Sequence, residues 1–149
     1  MDKEKSVVFV DDEKHIRQAN RQTLELADLV VTCLDCAEEA VPFLSPEWPG
    51  VVICDIRLPK MDGLAFLQHA QKVDRDLPII LITGHGDVST AVQAMRDGAY
   101  DFIEKPYSAE RLVKTVERAL EKRALTLENR SLRRELEAHS IPGPRIIGK

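Results

Sequence analysis

Five short runs of apolar, largely β-branched residues punctuate this chain, at positions 7–10, 30–34, 51–54, 78–82 and 102–103. The runs are continuous rather than alternating, the pattern of strands buried on both faces and hence of a parallel sheet. Parallel strands need long crossovers, and the intervening stretches have helical spacing. Residues 13–27 predict a helix with Ile16, Ala19, Thr23, Leu24 and Ala27 on one face. Residues 37–44 predict a short helix stopped by Pro46 and Pro49, and residues 64–73 another after the Asp62-Gly63 turn. Asp87 is placed to cap a fourth helix through Arg96, ended by Gly98 as a left-handed cap. From Ser108 to about Ser140 the pattern is helical and contains no Gly or Pro. Five strand–helix units with helices on both faces of the sheet make a three-layer α/β fold.

Charge and cysteine content narrow the function. The 149 residues carry a net charge of −4, but residues 1–108 hold 11 Lys/Arg against 19 Asp/Glu, whereas residues 109–149 hold 10 against 6. An acidic body argues against non-specific nucleic-acid binding, which needs clustered cations. No apolar run approaches the roughly 20 residues of a membrane span, and no signal-peptide core follows the charged start. Three cysteines are an odd number, which points to reduced thiols in a cytoplasm. Cys33 and Cys36 form a C-x-x-C without the second pair or nearby His of a zinc site, and read as two small residues at a strand end.

Right-handed crossovers put the C-termini of all the strands on one edge, where open parallel sheets bind ligands. The first strand runs into Asp11-Asp12, the third into Asp55, the fourth into Thr83, and the fifth leads to Lys105. Any one acid there is as readily a cap or turn residue; all five positions together point to a site. Clustered carboxylates repel, so one takes up a proton or a cation joins them. An all-oxygen set with open positions suits Mg²⁺. Asp55 can then act as a carboxylate nucleophile toward a phosphoryl group, giving an aspartyl phosphate. Lys105 would neutralise phosphoryl oxygens, and the Thr83 hydroxyl would donate to one. The alternative is a Mg²⁺-dependent phosphohydrolase or a flavodoxin-like enzyme of the same topology. Within the chain, however, no G-x-x-x-x-G-K-[ST] occurs, and Gly84-His85-Gly86 lacks the third glycine of a dinucleotide site.

Asp11-Asp12, Asp55, Met61-Asp62-Gly63, Thr83 and Lys105-Pro106 resemble the receiver domain of two-component response regulators. The resemblance implies a (βα)5 flavodoxin-like receiver fold over residues 1–122. It implies that Asp55 accepts a phosphoryl group from the phosphohistidine of a sensor histidine kinase. It also implies that Asp12, Asp55 and the main-chain carbonyl of Arg57 bind Mg²⁺, with Asp11 helping through water. Thr83 and Phe102 match the family's switch pair, and the Lys105-Pro106 bond would be cis. Such a chain would not be an enzyme beyond its own phosphorylation and autodephosphorylation. Thr83-Gly84-His85-Gly86-Asp87, the Gly98–Phe102 stretch and the Glu128–Leu136 stretch are similar to the NtrC-like branch that activates sigma-54 promoters, and within it to the C4-dicarboxylate transport regulators.

At 1.5 Å per residue, the last helix would be roughly 45–50 Å long. Leu112, Val113, Val116 and Leu120 can cover the sheet. Beyond them, Leu125, Asn129, Leu132, Leu136 and His139 repeat at 4, 3, 4, 3, a coiled-coil seam for a homodimer with Asn129 setting register. Acids alternate with the bases here and aromatic residues are absent, so direct DNA contact is not expected. Residues 108–140 thus read as the fifth helix continuing into a linker. Residues 141–149 resemble the entry to the AAA+ ATPase domain that follows in the family. A second dimer contact is expected where Asp97 and Asp101 meet Arg111 and Arg118, on the face of the fourth helix, fifth strand and fifth helix.

Overall fold

The computed structural model describes residues 6–138. Strands β1 (Ser6–Val10), β2 (Val30–Leu34), β3 (Val51–Asp55), β4 (Ile79–Thr83) and β5 (Asp101–Glu104) form one parallel sheet in the order β2-β1-β3-β4-β5. The helices are α1 (Lys14–Leu26), α2 (Gly63–Val73), α3 (Val88–Arg96) and α4 (Ala109–Ala138). His139, the last expected seam position, and residues 141–149 lie outside the described residues. Among those described, no helix is long and apolar enough to cross a membrane.

The period-two geometry of the strands sorts their side chains into two cores. Val8, Val10, Val52, Cys54, Ile79 and Leu81 pack with Phe66, Leu67 and Ala70 of α2 and Ala91 and Ala94 of α3. Val7, Phe9, Val51, Ile53, Ile80, Ile82 and Ile103 pack with Leu24 of α1 and Leu112, Val116, Ala119 and Leu120 of α4. Three layers result, as the continuous apolar runs predict.

Two elements differ from expectation. Ala37–Phe43 is a 3-10 helix rather than an α-helix, and Pro42 lies inside it. Proline has no N–H to donate and its ring crowds the carbonyl four residues back, so this segment winds more tightly and stays short. The fourth and fifth helices expected from sequence are therefore α3 and α4. On α1, Ala19 is exposed and the buried positions are Asn20 and Leu24. The sheet side tolerates Asn20 because both ends of its amide are used. Nδ2 donates to the Ile16 carbonyl at 2.7 Å, and Oδ1 accepts from the Tyr107 hydroxyl at 3.0 Å.

Tight turns hold the sheet edge. The Asp62 carboxylate caps α2 by accepting from the Ala65 N–H at 2.9 Å. Gly63 opens that helix directly against the end of β3. A Cβ there would sit 2.8 Å from the Asp55 carbonyl oxygen and 2.9 Å from the Ile56 Cα. Because the obstruction is backbone, Gly63→Ala is expected to lower stability by ~1–3 kcal/mol. An unchanged urea midpoint would contradict this. Gly98, at φ +112, ends α3 in the left-handed region as expected.

Helix α4 continues well past the sheet and carries a fully buried cation. Arg123 is 0% exposed. Its guanidinium donates to the carbonyls of Ser45, Pro46 and Trp48 and, at 3.1 Å, to Asp74 Oδ2. Two turns on, Arg130 grips both oxygens of Asp74 at 2.7 and 2.9 Å and reaches Asp76 at 2.8 Å. Burial alone would raise the Asp74 pKa, but Arg130, the Asp76 N–H and Arg123 outweigh it and hold it at about 2. A depressed carboxylate stabilises the fold above its ordinary pKa and loses that contribution as pH falls through the folded value. Between pH 5 and pH 2 the wild-type chain should therefore lose ~2 kcal/mol more stability than Asp74→Asn. Parallel acid limbs in urea titrations would contradict this.

Candidate functional site

The strand order places the site. From β1 the chain moves outward to β2 and then back across to β3, so the crevice at the C-terminal ends of β1 and β3 is the switch point where open sheets take ligands. Asp11 follows β1 and Asp55 is the last residue of β3. β3 and β4 each extend one residue beyond the expected apolar run, so that Asp55 pairs with Ile82 and Thr83 with Glu104 in the ladder. Ladder pairing holds these two side chains on rigid strand ends rather than on loops.

Asp11 is 1% exposed. Its Oδ1 accepts the Glu13 N–H at 2.9 Å, an Asx turn that leads into α1. Its Oδ2 is buried and has no hydrogen-bond partner among the described residues. Burial drives the Asp11 pKa upward. The Glu13 N–H opposes this, the charge of Asp55 adds to it, Lys105 opposes it and Asp12 adds to it; the pKa comes to about 6. The Asp11, Asp12 and Glu13 side chains each offer an oxygen within 4.8 Å of the others, with Asp12 and Glu13 exposed.

Both oxygens of Asp55 are engaged. Oδ1 accepts the Arg57 N–H at 2.9 Å and Oδ2 accepts Lys105 Nζ at 2.8 Å. Burial works against the Lys105 ammonium, but Asp55, with Asp11 and Glu13, raises its pKa above the ordinary lysine value. Lys105 is fixed at its backbone as well, through its N–H to the Thr83 carbonyl at 2.8 Å, and the Lys105-Pro106 peptide is cis. Thr83 is fully buried and its hydroxyl donates to the Gly84 carbonyl at 3.2 Å. Phe102, on β5, is half-buried against the core under α2 and α3.

From the sequence the Arg57 main-chain carbonyl is expected to bind Mg²⁺ and Asp87 to cap a helix. Their side chains do something else. The Arg57 guanidinium binds both Asp87 oxygens, each at 2.7 Å, and Asp87 makes no cap hydrogen bond to α3. A carboxylate beside a guanidinium fork gains a charge-assisted pair where a cap offers one neutral donor, and Arg57 accordingly lowers the Asp87 pKa. The pair ties the loop after β3 to the loop after β4. No short-range signal reveals it, since 30 residues separate the partners.

The expected dimer residues lie apart from this edge. Leu125, Leu132 and Leu136 are 62%, 51% and 72% exposed on α4, and Asn129 is exposed beside them. On the second expected face, Asp101 accepts its own neighbour's Phe102 N–H at 2.8 Å, and Arg111 donates to the Phe102 carbonyl at 3.3 Å. Asp97 accepts from Gln93 at 3.3 Å, while Arg118 is exposed. Cys33, Cys36 and Cys54 are free thiols.

Comparison with known proteins agrees with this fold. The family model described as the response regulator receiver domain matches residues 7–117. The chain is 53% identical over 149 residues, 99% of its length and 32% of the relative's, to the C4-dicarboxylate transport transcriptional regulatory protein DctD of Pseudomonas aeruginosa. To the protein of the same name from Rhizobium meliloti it is 54% identical over 144 residues, 97% of this chain and 31% of that one. The chain thus spans about a third of the length of these relatives. Among solved structures, the receiver domain of NtrX from Brucella abortus superposes with a TM-score of 0.71 at 41% identity, covering 77% of this chain and 98% of that one.

Proposed function

The chain belongs to the response regulator receiver domain family, as a receiver of the DctD and NtrC type, and from that membership we propose that Asp55 is its phosphoryl acceptor. The observation that carries this is the setting of Asp55, a buried carboxylate with a lysine at 2.8 Å and a backbone N–H at 2.9 Å, beside a second buried carboxylate whose Oδ2 has no partner. In the proposed step an Asp55 oxygen attacks phosphorus. The bond from phosphorus to the leaving group, the histidine nitrogen of a sensor kinase or the oxygen of acetyl phosphate, breaks and the leaving group keeps the electron pair. Lys105 then shifts from the carboxylate to a phosphoryl oxygen, and the Thr83 hydroxyl turns from the Gly84 carbonyl to another, with Phe102 moving behind it.

The residues fit a divalent cation. Lys105 is one positive charge among Asp11, Asp12 and Asp55, and the lone Asp11 oxygen together with the raised Asp11 pKa marks a place short of positive charge. Asp11, Asp12, Asp55 and the main-chain carbonyl of Arg57 would hold Mg²⁺. When bound, it neutralises charge on the phosphoryl oxygens.

In this reading residues 1–122 are the receiver and residues 108–140 its last helix and linker. Residues 141–149 begin an AAA+ ATPase domain. Phosphorylation by a sensor histidine kinase changes the arrangement of a homodimer formed through Leu125, Asn129, Leu132 and Leu136, and through the Asp97, Asp101, Arg111 and Arg118 face. That change controls the ATPase at sigma-54 promoters, with C4-dicarboxylate transport, which the relatives' names carry, as the regulated process. The test is incubation with acetyl phosphate, read by intact mass. A gain of one phosphoryl group in Mg²⁺ that is lost in chelator is expected. No gain, or an equal gain in chelator, would overturn the reading.

A further inference from the structure

We infer that Asp74, with Arg123 and Arg130, is a clasp that makes the first turns of the linker part of the receiver and fixes which side of the linker a second copy can reach. Apolar packing of α4 on the sheet ends at Leu120, yet Arg123 and Arg130 hold the helix for nearly three more turns, with Ala124 and Leu127 half-buried between them. Arg123 closes on Asp74 and on three carbonyls of residues 45–48. Arg130 adds a bidentate grip on the same carboxylate and bonds to Pro46 and Asp76. A two-point grip by forked guanidiniums resists both bending and rotation of a helix, which a single apolar contact does not.

Helical geometry gives the clasp its consequence. At about 100° per residue, Arg123 and Arg130 lie within about 20° of each other. Leu125, Asn129, Leu132 and Leu136 cluster about 140° away, and Arg111 and Arg118 fall on that same far side. The exposure of all six agrees with this placement. The clasp thus holds the receiver on one side of its own helix and leaves the opposite side as one stripe, basic near the sheet and apolar beyond it. A second copy of this chain fits the stripe, since its leucines would meet at coiled-coil spacing. This rests on the reading of that seam as a homodimer contact, and it adds that the seam and the receiver turn as one body.

Hydrogen exchange on the full chain separates the two claims. Leu132→Lys, which places a charge in the seam, should sediment as monomer; sedimentation as wild type would overturn the seam reading and leave the clasp to its own test. In that Leu132→Lys background, adding Arg130→Met should speed exchange of the amides of residues 124–132 about tenfold, while the amides of β1 and β3 keep their protection. Acceleration of fivefold or more supports the clasp, and less than fivefold overturns it. If the strand amides also open, Arg130→Lys, which keeps the charge but loses the fork, is read by the same criterion.

Discussion

A chain carrying Asp55→Asn takes up phosphoryl groups from acetyl phosphate in Mg²⁺ at least ~100-fold more slowly than wild type, to the level of background. The amide has the shape of the carboxylate but offers no anionic oxygen to phosphorus. It can still accept the Arg57 N–H, so the turn after β3 survives. The substitution also removes one of the charges that raise the Asp11 pKa. Asp55→Asn should therefore melt no lower than wild type, and its Asp11 should titrate lower. A variant that folded but still labelled would place the acceptor elsewhere, and Asp11 and Asp12 would be the next candidates.

Arg123→Met should cost ~3–5 kcal/mol, the range for breaking a buried ion pair by removing one partner. The loss has two parts. Asp74 keeps Arg130 but loses its buried partner, and the Ser45, Pro46 and Trp48 carbonyls lose a shared donor. The melting temperature should fall by on the order of 10 °C. Exposed Arg133 is the control: Arg133→Met should change stability by less than ~0.5 kcal/mol. Equal effects of the two would contradict the assignment of Arg123 to the fold. Truncation of the chain before residue 123 should cost at least as much as Arg123→Met, because Asp74 then loses both Arg123 and Arg130.

These two residues show why some of the molecule was legible in its sequence and some was not. Asp55 follows an apolar run that can only be a buried strand, and strand ends in parallel sheets face the ligand edge. Its position and its chemistry were thus both readable locally. Arg123 stands in a run of alternating charges on a long helix, and nothing within seven residues distinguishes it from its exposed neighbours. Only the arrival of the 45–48 and 74–76 segments beneath α4 makes it internal. Arg57 and Asp87 are alike in this. Asp87 stands at a helix start, where local pattern predicts a cap, but a guanidinium from the loop after β3 takes its carboxylate instead. Asn20 lies in the same stripe as Ile16, Thr23, Leu24 and Ala27, but a polar residue there has no local sign of burial, and Tyr107, which completes its hydrogen bonding, lies 87 residues away. Local pattern settles elements and their ends; pairings between distant polar groups wait on the fold.

Receiver function turns on where the phosphoryl group sits. The most direct measurement is borohydride reduction of the chain after labelling with acetyl phosphate in Mg²⁺, followed by peptide mass analysis. Reduction converts an aspartyl phosphate to the corresponding alcohol and releases phosphate, so the modified residue is marked where it stood. The alcohol is expected at Asp55 and nowhere else. Its appearance at Asp11 or Asp12, or unmodified carboxylates throughout, would contradict this assignment.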